Sequence, residues 1–154
     1  MSNENSPVLY DESYPIRIAR DGSWWHEGAR IDRQGLVRLF AGVLRRDEAG
    51  DYWLITPAER SRITVEDAPF VAVEMRVAGT GAAQVLSFRT NLDEWVEVGP
   101  EHPLRFAPGG EPYVLVRDRL EAKVVRAVYY DLLGLVVEHD ERQGVWSGGV
   151  FFSI

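Results

Sequence analysis

Apolar and polar residues alternate through Ile16-Arg17-Ile18-Ala19-Arg20, the two-residue period of a half-buried strand. Asp21-Gly22 follows and leads into Ser23-Trp24-Trp25-His26-Glu27. The pattern predicts a hairpin closed by a type I′ turn, whose two central residues both take positive φ. Glu27-Gly28 reads as a second turn, Ala29-Arg30-Ile31 as a short strand, and Asp32 as a helix N-cap. From Arg33 to Arg46 the spacing of Leu36, Leu39, Phe40, Val43 and Leu44 predicts a helix with one apolar face, Arg45 and Arg46 suiting its C-terminal end. Asp47 to Asp51 is a polar loop and Tyr52–Thr56 a strand. Pro57 to Arg62 reads as a connector.

Further strands are predicted at Ile63–Glu66 and Val71–Val77, broken at Ala68-Pro69, and at Gln84–Thr90, Glu94–Val98, Leu104–Phe106 and Tyr113–Arg117. Gly79-Thr80-Gly81, Asn91–Asp93 and the Pro/Gly-rich stretch from Ala107 to Pro112 supply turns. A second helix is predicted from about Asp118, carrying Leu120, Val124, Ala127, Val128 and Leu132 on one face, and ending near Gly134 or a turn later at Glu138. Gly144–Ile154 closes the chain as one strand with a glycine bulge. Arg20–Gly28 is echoed by Thr90–Gly99, each reading turn, Trp, Glu, Gly. With a helix and an aromatic strand later in each half, this suggests an internal duplication. The expectation is an α+β fold of mostly antiparallel sheets, divided between Thr56 and Glu66 into halves at 1–60 and 61–154.

Composition narrows the functional classes. The chain has 154 residues, 45% hydrophobic, enough for one domain or two small ones sharing a core. It has no Cys, which excludes disulfides, thiol catalysis and thiolate zinc sites. Its net charge of −7, without a basic block, argues against a nucleic-acid partner. No stretch reaches the ~18–20 apolar residues of a membrane-spanning helix. Residues 1–7 are polar, unlike a secretory leader, and are expected to fray; the reading is a cytoplasmic protein. All the basic residues but Lys123 are Arg, whose fork of donors suits carboxylate and phosphate partners.

Catalytic and metal chemistry find little support. His26 and Glu27 are strand neighbours and point to opposite faces, and no pair among His26, His102 and His139 has a metal-ligand spacing. Ser147 lies between glycines but no helix follows it, so the nucleophile elbow of a hydrolase is missing. Gly79-Thr80-Gly81 and Gly148-Gly149 lack the spacing of a phosphate loop. Glu66, Asp67 and Glu74 read as a solvated strand edge. No catalytic residue, metal or cofactor is expected. The candidate ligand-binding residues are Arg89, Thr90 and Asn91 at one strand end, Arg117 and Glu121 where a strand meets a helix, and Glu97, Trp146 and Ser147. These converge on a polar or anionic ligand if the halves leave a cleft between them. The competing reading is a salt-bridge network of Arg89, Arg117, Glu97 and Glu121. Trp24 and Trp25 must face opposite ways, so one of them meets solvent, the other half or a partner.

Ile16–Trp24, His26-Glu27-Gly28, Leu36–Phe40, Thr56–Glu59, Val65–Phe70 and Phe88–Asn91 together resemble a bacterial family, domain of unknown function 1285. So do Gly99–Leu104, Tyr113–Arg117, Leu120–Ala122 and Gly144–Phe152. The resemblance runs through nearly the whole chain in order. It implies a duplicated α+β architecture whose C-terminal half is superficially similar to pleckstrin-homology folds. It also implies a binding site where the halves meet and a part in signal transduction, and it transfers no catalytic residue. The leading expectation is therefore a non-catalytic binding module with a polar or anionic small-molecule ligand. An adaptor that meets a protein partner through exposed Trp and sheet edges comes second. A hydrolase or transferase using Asp21, His26 or Glu97 as acid or base comes third.

Overall fold

The computed structural model describes residues 8–154, with side-chain surroundings from Pro15 onward. The tail expected to fray at 1–7 lies outside the described residues. The chain divides into two units, one of residues 1–69 with 118–120, the other of 70–117 with 121–154.

The first unit holds β1 (Val8–Ile18), β2 (Trp24–His26), β3 (Ala29–Arg30), α1 (Gln34–Gly42), β4 (Leu44–Arg46), β5 (Tyr52–Ile55) and β6 (Glu59–Val65). Its sheet runs β3-β2-β1-β6-β5-β4. Neighbours are antiparallel except the central pair, β1 and β6, which is parallel. Ile16, Ile18, Trp24, Leu44, Leu54 and Ile63 form its buried side. As alternation requires, Trp24 is buried while Trp25 stays half-buried on the opposite side, beneath Arg17.

The second unit repeats the pairing order with β7 (Phe70–Ala78), β8 (Val85–Thr90), β9 (Trp95–Glu97), β10 (Leu104–Phe106), β11 (Pro112–Arg117) and β12 (Leu120–Val124). The sheet runs β10-β11-β12-β7-β8-β9, again with a parallel central pair, β12 and β7. It continues through α2 (Arg126–Leu133) into a small antiparallel sheet of β13 (Val137–His139), β14 (Arg142–Ser147) and β15 (Val150–Ser153). Phe70, Leu86, Phe88, Val114, Ala122, Leu132 and Val145 are its buried centre. No helix among the described residues is long and apolar enough to cross a membrane.

Several expectations are corrected. The first helix ends at Gly42 rather than Arg46, because Leu44 and Arg46 pair with Leu54 and Tyr52 as strand residues. Its buried residues are Val37 and Ala41, one turn apart, whereas Leu36 and Leu39 are exposed. Its N-cap is Arg33, not Asp32. The supposed connector at 57–62 is largely β6. The second helix covers only Arg126–Leu133: Asp118 turns at φ 50, and Leu120, Ala122 and Val124 are buried alternately on a strand beside β7. Leu-Glu-Ala-Lys-Val carries both periods, and the open edge of β7 selects the strand. The closing strand is a hairpin, with Gly148 and Gly149 at φ 59 and 80 as its turn.

The Asp21-Gly22 turn is also of a different kind. Ala19 N–H bonds to Ser23 O and Gly22 N–H to Ala19 O, and only Gly22 takes positive φ. This is the five-residue turn with one left-handed position. The same two bonds recur at Asp47–Asp51, Thr90–Glu94 and Ala107–Glu111. The type I′ turn is instead Glu27-Gly28, with φ 50 and 83. The sequence echo thus joins the β1–β2 turn to the β8–β9 turn, which occupy different places in the two strand orders. What the echoed segments share is turn chemistry.

Candidate functional site

Most of the expected site residues fall in the second unit on or beside the polar side of β7, β8 and β9. Cross-strand register sets two rows there, Glu74–Arg89–Trp95 and Arg76–Ser87–Glu97. Residues directly opposite share a face, so charged side chains of neighbouring strands meet. Arg89 Nε donates to Glu74 Oε1 at 2.9 Å and Nη1 to Asp93 Oδ1 at 2.8 Å. The Glu74 bond is the main reason its pKa lies above the ordinary arginine value, Asp93 adding to it. The Arg76 guanidinium lies 4.1 Å from the Trp95 ring centroid, and Trp95 is 37% exposed.

Arg117 joins the same neighbourhood through the β8–β9 turn. Its Nη1 donates to both carboxylate oxygens of Glu94 at 3.2 Å, and its guanidinium lies 5.2 Å from the Phe70 ring. Thr90 is fully buried inside the turn, its hydroxyl accepting from Leu92 and Glu94 N–H. Asn91 exchanges bonds with Val71, N–H to carbonyl and carbonyl oxygen to N–H. Asp93 closes the turn at φ 63.

The remaining residues are placed elsewhere. Glu121 holds Arg105 with two bonds of 2.7 and 2.8 Å, Arg105 also lying over Tyr113. Glu121 does not stand one helical turn beyond Arg117, because both belong to strands. Ser147 is fully buried: its hydroxyl accepts from Leu86 N–H at 2.8 Å and donates to Val98 O at 2.7 Å. It fastens β14 to the larger sheet, with its donor and an acceptor site already committed. Trp146 packs against His139 and Phe151 and, with Val77, Gln84, Leu135 and Val137, lines an apolar groove of about 440 Å3. Glu97 lines a separate hollow of about 660 Å3, together with Trp95, Glu101 and His102. His102 Nδ1 lies 3.0 Å from Leu115 O; a carbonyl only accepts, so Nδ1 carries a proton.

The ionic partners differ from those expected. The arginines pair with Glu74, Asp93 and Glu94, and Glu121 pairs with Arg105. Glu74 and Arg105 were reachable only through cross-strand register, whereas Asp93 stands four residues after Arg89 in sequence. Among the described residues, no group of three or more His, Asp or Glu side chains is placed to hold a metal ion. Asp21 and His26 lie in the first unit and Glu97 in the second. Asp21 is engaged by Ser23, whose side-chain and backbone donors hold its carboxyl below the usual range.

Residues 6–68 match the family description "Domain of unknown function (DUF1285), N-terminal domain", and residues 69–154 match "Protein of unknown function (DUF1285), C-terminal domain". A crystal structure of a DUF1285 family protein from Silicibacter pomeroyi DSS-3 is 39% identical, with a TM-score of 0.87 over 100% of this chain and 89% of that one. A second, from Shewanella baltica OS155, is 25% identical, with a TM-score of 0.62 over 78% of this chain and 91% of that one. No curated protein matches the chain.

Proposed function

The chain belongs to the DUF1285 family, and we propose that it is a non-catalytic binding module that meets a protein partner through the polar side of β7, β8 and β9. The observation that carries this reading is the exposed Trp95 ring with Arg76 stacked on it, bordered by Arg89 and Arg117 already braced by carboxylates. Trp and Arg dominate binding energy at protein interfaces, and side chains held in place beforehand lose less entropy on docking. Guanidinium groups already bonded to carboxylates favour a partner surface over a small free anion. Signal transduction is the setting we assign to such a module. The recurring strand order supports an internal duplication, and a curved sheet followed by α2 supports the pleckstrin-homology likeness of the C-terminal half.

A photo-crosslinking residue at Ser87, between Arg76 and Glu97 on the proposed face, tests this in cells. The expected result is one dominant protein adduct, lost when Trp95→Ala is added. Equal adducts from a crosslinker at exposed Thr64 would refute the reading. The alternative, a small polar ligand, draws support from the hollow holding Glu97, Glu101 and His102. A thermal-stabilisation screen with nucleotides, anionic metabolites and acyl compounds addresses it, since ligands that bind the native state raise its apparent stability. Stabilisation abolished by Glu97→Gln would favour that alternative. Stabilisation abolished by Arg117→Ala, with folding intact, would favour the anionic ligand expected from sequence.

A further inference from the structure

We infer that the first unit carries an anion site for a phosphoryl group, formed by Arg60 and Arg62 over the Trp53 ring. Arg45, Trp53 and Arg62 stand in one cross-strand row of β4, β5 and β6. Arg60, two residues before Arg62, shares that face. The Arg60 guanidinium lies 4.3 Å from the Trp53 centroid and that of Arg62 lies 4.9 Å from it. Two like charges therefore share one indole.

Among the described residues, neutralisation is thin at this place. Arg60 has no ion pair among the described residues, and the nearest acid to Arg62 is Asp51, 3.9 Å away. Arg45 Nη1 reaches only the backbone carbonyls of Gly42 and Leu44. Asp47 accepts the Trp53 indole N–H at 2.9 Å, which fixes the ring rather than an arginine. Among the described residues, the two guanidinium groups have one loosely held carboxylate beside them. The Nε atoms of Arg60 and Arg62 are both sealed from solvent and have no acceptor among the described residues. The Arg62 side chain is nevertheless 40% exposed. Planar guanidinium forks match phosphate oxygens two at a time, and the cation–π contact sets their orientation before the ligand arrives.

The test follows the Trp53 indole N–H resonance, assigned by its loss in Trp53→Phe, while inorganic phosphate is added at constant ionic strength. The expected result is a saturable shift that sodium chloride does not reproduce. Arg60→Gln or Arg62→Gln should weaken phosphate binding by about tenfold or more. Arg60→Lys should weaken it less, because the charge remains and only the fork is lost. Each variant's melting temperature without phosphate checks that it folds. A shift that follows chloride equally, or binding unchanged in both glutamine variants, would overturn the proposal and leave these arginines as covers for Trp53. Flotation with phosphatidylcholine vesicles carrying phosphatidic acid separates the sources. Flotation lost in Arg62→Gln assigns a lipid-borne phosphomonoester, and phosphate binding without flotation assigns a soluble one. Neither binding nor flotation would sink the idea. The site lies in the first unit, so this outcome is independent of the crosslinking at Ser87.

Discussion

The two six-stranded sheets share a strand order and differ in how far their buried polar side chains are satisfied. In the second unit Arg89 and Arg117 are bonded to carboxylates, Glu121 grips Arg105, and the buried Ser147 hydroxyl both donates and accepts. The first unit holds every buried side-chain polar atom that lacks a partner among the described residues: Trp24 Nε1, Arg60 Nε, Ser61 Oγ and Arg62 Nε. Buried polar groups are normally satisfied, so such a concentration calls for a reason. Strand order decides which positions face outward; the residues placed there decide whether the face is closed on itself or left with unmet bonding capacity.

The contrast can be broken most sharply at two serines. Ser61 and Ser147 are 3% and 0% exposed. Ser147→Ala removes one bond each from Leu86 N–H and Val98 O, and should cost about 2–4 kcal/mol by urea unfolding. Ser61→Ala removes a hydroxyl without a partner, and stability should stay unchanged or rise by up to about 1 kcal/mol. Equal losses at both positions would erase the distinction between the units.

A smaller effect separates the arginines. Glu121→Gln breaks the two-bond grip on Arg105, which is half-exposed; discounted for solvent screening, it should cost about 0.5–1 kcal/mol. Arg62→Gln gives up only the distant Asp51 and a ring contact, and should shift stability by less than about 0.5 kcal/mol. If Arg62→Gln proves the costlier, Arg62 is a brace of the first unit and its guanidinium has no surplus bonding capacity.

The strands with clean alternation, such as Ile16–Ile18 and Phe88–Thr90, were legible because a period of two needs only local sequence. Leu120–Val124 was not, since its apolar spacing also fits a helix and only pairing with β7 distinguishes the two. Leu44 was drawn into the first helix for the same reason. At the site, Arg89 and Arg117 stood out as charges at strand ends, but their partners depended on which strands lie side by side. Arg60 and Arg62 were hidden by Pro57, which suggested a connector where β6 begins two residues later. Long-range register is the physical quantity that one sequence read alone does not carry.

The smallest predicted effect concerns pH and again sets the units apart. Asp21 and Asp47, both in the first unit, are carboxyls held clearly below their usual range. Asp47 is held down chiefly by the Trp53 indole N–H and then by Asp51 N–H. A carboxyl with a lowered folded pKa contributes stability that is present above its unfolded value, about 3.9, and is lost as pH falls through the folded value. Acidification below about pH 4 should therefore loosen the first unit through these two turns, with a modest effect because both groups are solvent-accessible. Asp47→Asn keeps an acceptor for Trp53 but cannot titrate, so its urea midpoint should fall less than that of the natural chain between pH 5 and pH 3. Hydrogen exchange at Trp53 N–H over the same range locates the change. Equal slopes in the two proteins would mean that acid acts elsewhere. Faster exchange confined to the β8–β9 turn would move the acid-sensitive element to the second unit, where Arg89, Asp93 and Glu74 meet.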